Sequence, residues 1–294
     1  MPHLISSKSA SLFALFSHES NQYFMIMTME TLHFQMTLLI RPLPLINKSF
    51  SLSPPGRLER GRTRIPFSFL LESSAASSAS PLFETFHGRN IQIMYAVSAE
   101  VCRPVLRGGS LETGLCEFVV ETRVNEDSLR TVPASSPVNF ELTEDGQELG
   151  PHSGALRSQG FSVIGCLDRS AWFMEQPLTG WIKVVSSPVR ILSIDLELCR
   201  LEGCTTSEGQ RASEASIIQS TQVIDGNVSI GSEVPIFAVL PRLYCCPSVQ
   251  ARTFSISFLV RILVYFAPID SDYPMIAVRT VPIQLIRGGA IGSL

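Results

Sequence analysis

The chain is poor in the residues and spacings that active sites are built from. Of its 294 residues, five are histidine and two are tryptophan. Its seven cysteines are an odd number without metal-type spacing. Four residues separate Cys199 from Cys204, Cys245 and Cys246 are adjacent, and no C-x-x-C pair exists. The nearest histidine after residue 100 is His152, so a zinc site lacks its ligand set. Reduced, mostly buried thiols in a cytosolic protein fit this usage better. Nucleotide chemistry has no Walker loop or dinucleotide fingerprint to work with. Between Gly226 and Ser229 there is one residue too many for a G-x-S-x-G elbow. Glu84 and Glu117 stand isolated rather than paired, and His87 before Gly88 reads as a turn-stabilising imidazole. These absences argue for no catalytic residues, no cofactor and no metal.

Charge is scarce as well. The net charge of −3 is too small for a nucleic-acid binder identified by bulk electrostatics. Arg57, Arg60, Arg62 and Arg64 form the one dense basic cluster, read as a solvated Gly/Pro-containing loop. Residues 1–20 carry only a short apolar run, Leu12 to Phe16, ending in His18 and Glu19, which is no secretory signal. The apolar stretch from Tyr23 to Ile40 is interrupted by Glu30, His33 and Gln35, and reads as strand rather than membrane helix.

What the chain does have is alternation. Phe254, Ile256, Phe258, Val260, Ile262, Val264 and Phe266 occupy every second position, which assigns one side-chain set to one face of a long strand. The pattern recurs at Ile91, Ile93, Tyr95, Val97, Ala99 and Val101. It recurs again at Leu192, Ile194, Leu196 and Leu198, at Val234, Ile236, Ala238 and Leu240, and at Val281, Ile283 and Leu285. Gly, Pro, Ser and Asn fall between most of these segments, and helical heptads of useful length are absent. The fold class is all-β. A chain with 45% apolar residues can bury a core in each of two domains. The polar, proline-punctuated stretch 125–137 is the natural junction. Ile65-Pro66-Phe67 and Val234-Pro235-Ile236 echo one another, each reading as a proline that opens an apolar strand, and suggest two related halves.

A longer series of short words carries a family resemblance. Phe83-Glu84-Thr85-Phe86-His87-Gly88, Ile91-Gln92-Ile93-Met94-Tyr95 and Cys116-Glu117-Phe118 begin it. Gln176-Pro177-Leu178-Thr179-Gly180, Asp225-Gly226-Asn227-Val228, Val234-Pro235-Ile236 and Leu240-Pro241-Arg242-Leu243-Tyr244 with Cys246-Pro247 continue it in order. Together they resemble the arrestin-like vacuolar-protein-sorting subunits, most closely the retriever-type branch, the Down syndrome critical region protein three family. The resemblance implies two tandem arrestin-like β-sandwiches, the first lacking its opening strands. Residues 1–22 are then a divergent, disordered segment, 23–130 an incomplete N-terminal sandwich, 131–137 a linker and 138–294 the C-terminal sandwich. It further implies a non-enzymatic subunit of an endosomal cargo-recycling complex, cytoplasmic and peripheral at endosomes. Its partners would be an α-solenoid scaffold, a small third subunit and a sorting-nexin adaptor. Membrane association would be indirect.

For the scaffold contact two segments stand out. Gly203 to Ser216 reads as a polar loop of the second sandwich, with Glu208, Arg211 and Glu214 setting polar register. Pro241-Arg242-Leu243-Tyr244 places an arginine and an aromatic in one turn, so Arg242 and Tyr244 are candidate anchors. Trp181 reads as filling the second core. Three alternatives stay open: a retromer-type subunit or free arrestin-like adaptor, a β-sandwich carbohydrate-binding protein, and a secreted adhesion sandwich.

Overall fold

The computed structural model describes residues 11–16, 22–33, 35–36, 39–40, 46–57, 61–71, 82–102, 111–112, 115–122, 135–144, 148–149, 153, 156–205, 211–226, 228–269 and 272–288. The chain divides into two compact units, Met1–Thr122 and Arg123–Leu294.

In the first unit the strands are β1 (Ser11–Phe16), β2 (Gln22–His33), β3 (Gln35–Met36), β4 (Leu39–Ile40) and β5 (Asn47–Arg57). They are followed by β6 (Gly61–Pro66), β7 (Phe86–His87), β8 (Gln92–Cys102), β9 (Leu111–Glu112) and β10 (Cys116–Phe118). A six-stranded sheet runs β10-β8-β2-β5, with β7 and β9 also on β8, while β1 and β6 form a separate antiparallel pair. Ile65 of β6 and Leu52 of β5 pack on Ala99 and Val101 of β8, which joins the two sheets through one apolar cluster. Of the expected inward set, Ile91, Ile93, Tyr95, Ala99 and Val101 are buried, whereas Val97 is only partly buried. The Tyr95 hydroxyl donates to the Phe83 carbonyl at 2.6 Å. Burial, and then the Glu84 carboxylate, push its phenol well above the usual range. His87 closes its turn as expected: Gln92 Nε2 lies 2.9 Å from its Nδ1, and Gly88 N donates to Ile91 O at 2.8 Å.

The first unit also departs from the sequence expectation. Ser11–Phe16 forms a strand inside the segment 1–22, its residues paired from Ser11 with Pro66 to Phe16 with Gly61. The basic cluster is not a loop: Arg57 ends β5, and Arg62 and Arg64 lie on β6, while Arg60 falls outside the described residues. Pro54 and Pro55 are compatible with β5 because, among the described residues, it is an edge strand of its sheet, where a missing N–H costs no ladder bond on the outer side. Pro66 closes β6 rather than opening a strand.

The second unit contains β11 (Val138–Thr143), β12 (Glu148–Leu149), a single helical turn α1 (Leu156–Gln159), β13 (Ser162–Leu167), β14 (Ala171–Phe173) and β15 (Leu178–Ser186). Then come β16 (Ile191–Thr205), β17 (Arg211–Asp225), β18 (Glu233–Ala238), β19 (Val249–Gln250), β20 (Phe254–Phe266) and β21 (Met275–Ile286). A four-stranded sheet, β11-β13-β15-β18, faces a seven-stranded one ordered β12-β21-β20-β16-β17, with β14 on β21 and β19 on β20. All seven alternating residues of β20 are buried at 6% exposure or less, so this strand is the spine of the core. The protein is nearly all β, as its periodicity requires.

Two expectations change here. Trp181 is half-buried, because it has the opposite parity on β15 to the buried Leu178, Ile182 and Val184. Trp172 of β14 fills the core instead, its indole N–H donating to Arg169 O at 3.0 Å. Pro235 sits within β18, opposite Trp181, on an edge strand of the four-stranded sheet among the described residues.

Candidate docking surface

Strand β16 turns Ile194, Leu196 and Leu198 inward, and the same parity continues to its end. It brings Arg200, Glu202 and Cys204 to the core face. Arg200 and Glu202 have side chains only 5% and 1% exposed. A lone buried charge would be very costly, so the two satisfy each other. Arg200 Nε donates to Glu202 Oε1 at 2.8 Å, and Nη2 approaches the same oxygen at 2.7 Å. The remaining guanidinium nitrogen, Nη1, donates to the backbone carbonyl of Tyr244 at 3.1 Å. A buried ion pair thus holds the 241–244 turn from beneath.

The turn itself is closed by Tyr244 N donating to Pro241 O at 3.1 Å. Further on, Ser248 exchanges two bonds with Leu285 of β21: its N donates to Leu285 O at 2.8 Å, and Leu285 N donates to its hydroxyl at 2.9 Å. With its backbone fixed at both ends, the turn projects Leu243, 90% exposed, and Tyr244, 54% exposed. The preceding strand continues the apolar surface. On β18 and just after it, Ile236, Ala238 and Leu240 are buried, so the alternate Phe237 and Val239 point outward at 62% and 64% exposure. Four large apolar side chains within residues 237–244 therefore face solvent along a sheet edge and its turn. Such a cluster is a candidate interaction surface.

The structure distributes the sequence-selected residues unevenly. Arg242 and Tyr244 are exposed at the turn. Glu208 lies outside the described residues. Gly203 to Ser216 is not one loop: Gly203 to Thr205 end β16, and Arg211 to Ser216 begin β17, with Thr205 paired to Arg211 and Glu202 to Glu214. Glu214 is exposed on that strand. β17 was hard to see because Ser, Thr, Gln and Ala occupy both of its faces, as suits an edge strand that shields little core. The hairpin and the turn meet at one end of the unit, joined through Arg200 and Glu202. Sequence reasoning missed that pair, although extending the parity of 192–198 by two steps finds it. It missed Phe237 and Val239 in the same way, since they are the odd partners of the inward 234–240 set.

A second concavity is an open cleft of about 590 Å³ lined by Asn139, Phe140, Glu141, Thr143, Ile164, Gly165, Trp181 and Arg279. Arg279 Nε is buried there without a hydrogen-bond partner. The lining holds one carboxylate, one guanidinium and no nucleophile–base pair, a set suited to recognition more than to bond making.

Comparison with known proteins decides the family. Residues 25–267 match the family Vacuolar protein sorting-associated protein 26. The chain belongs to this family. Vacuolar protein sorting-associated protein 26C of Dictyostelium discoideum is 28% identical over 250 residues, covering 84% of this chain and 79% of that protein. Membership in the vacuolar protein sorting-associated protein 26 family accounts for the arrestin-like β-sandwich architecture and sets aside the carbohydrate-binding and adhesion alternatives. It implies a sorting subunit that works by assembly rather than by turnover. Among the described residues no helix is long and apolar enough to cross a membrane.

Proposed function

We propose that this chain is the retriever-type arrestin-like subunit of an endosomal cargo-recycling complex. It docks on an α-solenoid scaffold through the surface formed by Phe237, Val239, Leu243 and Tyr244. The observation that carries the proposal is the turn at Pro241 to Tyr244. Its backbone is locked from below by the buried Arg200 while its apolar side chains face outward. A preorganised turn loses little freedom on binding, so more of its apolar contact appears as affinity. Arg242 and Glu214 at the rim supply charge for register and on-rate rather than bulk affinity. A small third subunit and a sorting-nexin adaptor complete the assembly, and membrane attachment runs through those partners at endosomes. The sequence resemblance to the retriever-type branch supports this choice over a retromer-type scaffold or a free adaptor.

Affinity purification of the full chain from an endosomal extract, with mass spectrometry of the co-purifying proteins, is the test. Recovery of the retriever-type solenoid supports the assignment. Recovery of the retromer-type solenoid alone, or of no solenoid, overturns it.

A further inference from the structure

The open cleft of about 590 Å³ in the second unit draws its one lining cation, Arg279, from an unexpected face. Arg279 stands opposite Ile262 of β20, which is buried. It also alternates along β21 with Ala277 and Val281, both buried. Arg279 therefore belongs to the core-facing parity of its strand, where a guanidinium is costly unless its donors are met. Two other arginines of the same sheet are met by carboxylates, Arg200 by Glu202 and Arg261 by Glu197. Arg279 pairs with no carboxylate among the described residues, and its Nε is buried without a hydrogen-bond partner. The residue as a whole is only partly buried, as expected of a stem that packs at the core margin while its head reaches the cleft.

We propose that this cleft binds an acidic side chain of an extended peptide segment from a partner protein, with the carboxylate seated on Arg279. A planar guanidinium matches a carboxylate in shape as well as charge. Asn139 and Thr143, on the wet parity of β11, add neutral donors to the lining. Asn139 lies in line with Trp181 across the sheet, through Cys166, so a half-buried aromatic flanks the polar strip for the segment's neighbouring side chains. Glu141, in the same lining, opposes any second negative charge, which favours a singly charged carboxylate over a phosphate dianion. The cleft is open rather than enclosed, and among the described residues β11 is an edge strand of its sheet, the setting in which extended segments are recognised. None of residues 237–244 lines the cleft, so this site does not rest on the docking role proposed above.

The experiment uses the purified full chain without scaffold, its arginine and tryptophan side-chain nitrogens isotopically labelled for NMR. The probe is the blocked peptide acetyl-Thr-Val-Glu-Val-Thr-amide, compared with the same peptide carrying Gln for Glu and with inorganic phosphate. The Glu peptide should shift the Arg279 Nε–H and Trp181 indole signals saturably. The Trp172 indole, already bonded to Arg169 O, should stay where it is. The Gln peptide should bind about tenfold more weakly, because it forfeits the charge-assisted bond. Arg279→Met should bind the two peptides equally, and Arg279→Lys, which keeps the charge without the planar fork, should fall between. Urea denaturation checks that each variant is folded, and if Arg279→Met is not, the Glu and Gln peptides on the unsubstituted chain decide alone. Equal affinity of that chain for the two peptides, tighter binding of phosphate, or no movement of the Arg279 signal at millimolar Glu peptide overturns the proposal.

Discussion

Replacing Arg200 with methionine removes half of the ion pair beneath the 241–244 turn while keeping similar side-chain volume. Glu202 then remains at 1% side-chain exposure with its principal cation gone. Truncating one partner of such a pair costs about 3–5 kcal/mol, because the surviving charge stays buried without its cation. For a folding unit of this size that is a fall in midpoint of roughly 6–20 °C. The companion Arg200→Met/Glu202→Leu variant should recover most of the loss, since an apolar pair of similar volume is often neutral or better. It should not restore the bond to the Tyr244 carbonyl, which needs the guanidinium. Urea denaturation measures the stability term, and amide exchange across residues 241–246 measures the turn. In the double variant, near-normal stability with faster exchange at the turn separates the two roles. A loss below about 1 kcal/mol in Arg200→Met, the range of exposed pairs, would refute the buried-pair reasoning.

Two further perturbations probe the second unit. An added Cβ at Gly165 meets the Phe140 ring and the Trp181 carbonyl, so Gly165→Ala should cost about 1–3 kcal/mol in a denaturant titration. A cost near zero would show that the ring can move aside. Alkaline titration tests Cys245: its folded value of about 12 exceeds the ordinary thiol value of 9.0. Between those values the unfolded chain releases a proton that the folded chain keeps, so stability should hold below pH 9 and decline as pH rises through that window. Cys245→Ala should flatten the decline, and an identical slope in the variant would assign it to other groups.

The strands that could be read in the sequence were those with one wet face and one dry face. On β20 every alternate residue from Phe254 to Phe266 is buried, so the two-residue period is visible without any tertiary information. β17 was not legible because both of its faces meet solvent over much of its length, and a strand that buries little has no reason to alternate. The two tryptophans show the same rule at the level of single residues. Trp181 falls on the outward parity of β15, whereas the short β14 around Trp172 is too brief to show a period. Of the candidate surface, Tyr244 and Arg242 are suggested by their turn and residue type, and the structure shows both exposed. Arg200 and Glu202 were hidden because charged residues are rarely fully buried, and here their mutual pairing offsets the cost.

Binding of the full chain to the purified α-solenoid scaffold proposed as its partner, compared with a Phe237→Asp/Leu243→Asp variant by calorimetry, tests the central claim most directly. Both side chains are more than half exposed, so folding should be unaffected while binding is lost. Undiminished affinity in a folded variant would contradict docking through this edge.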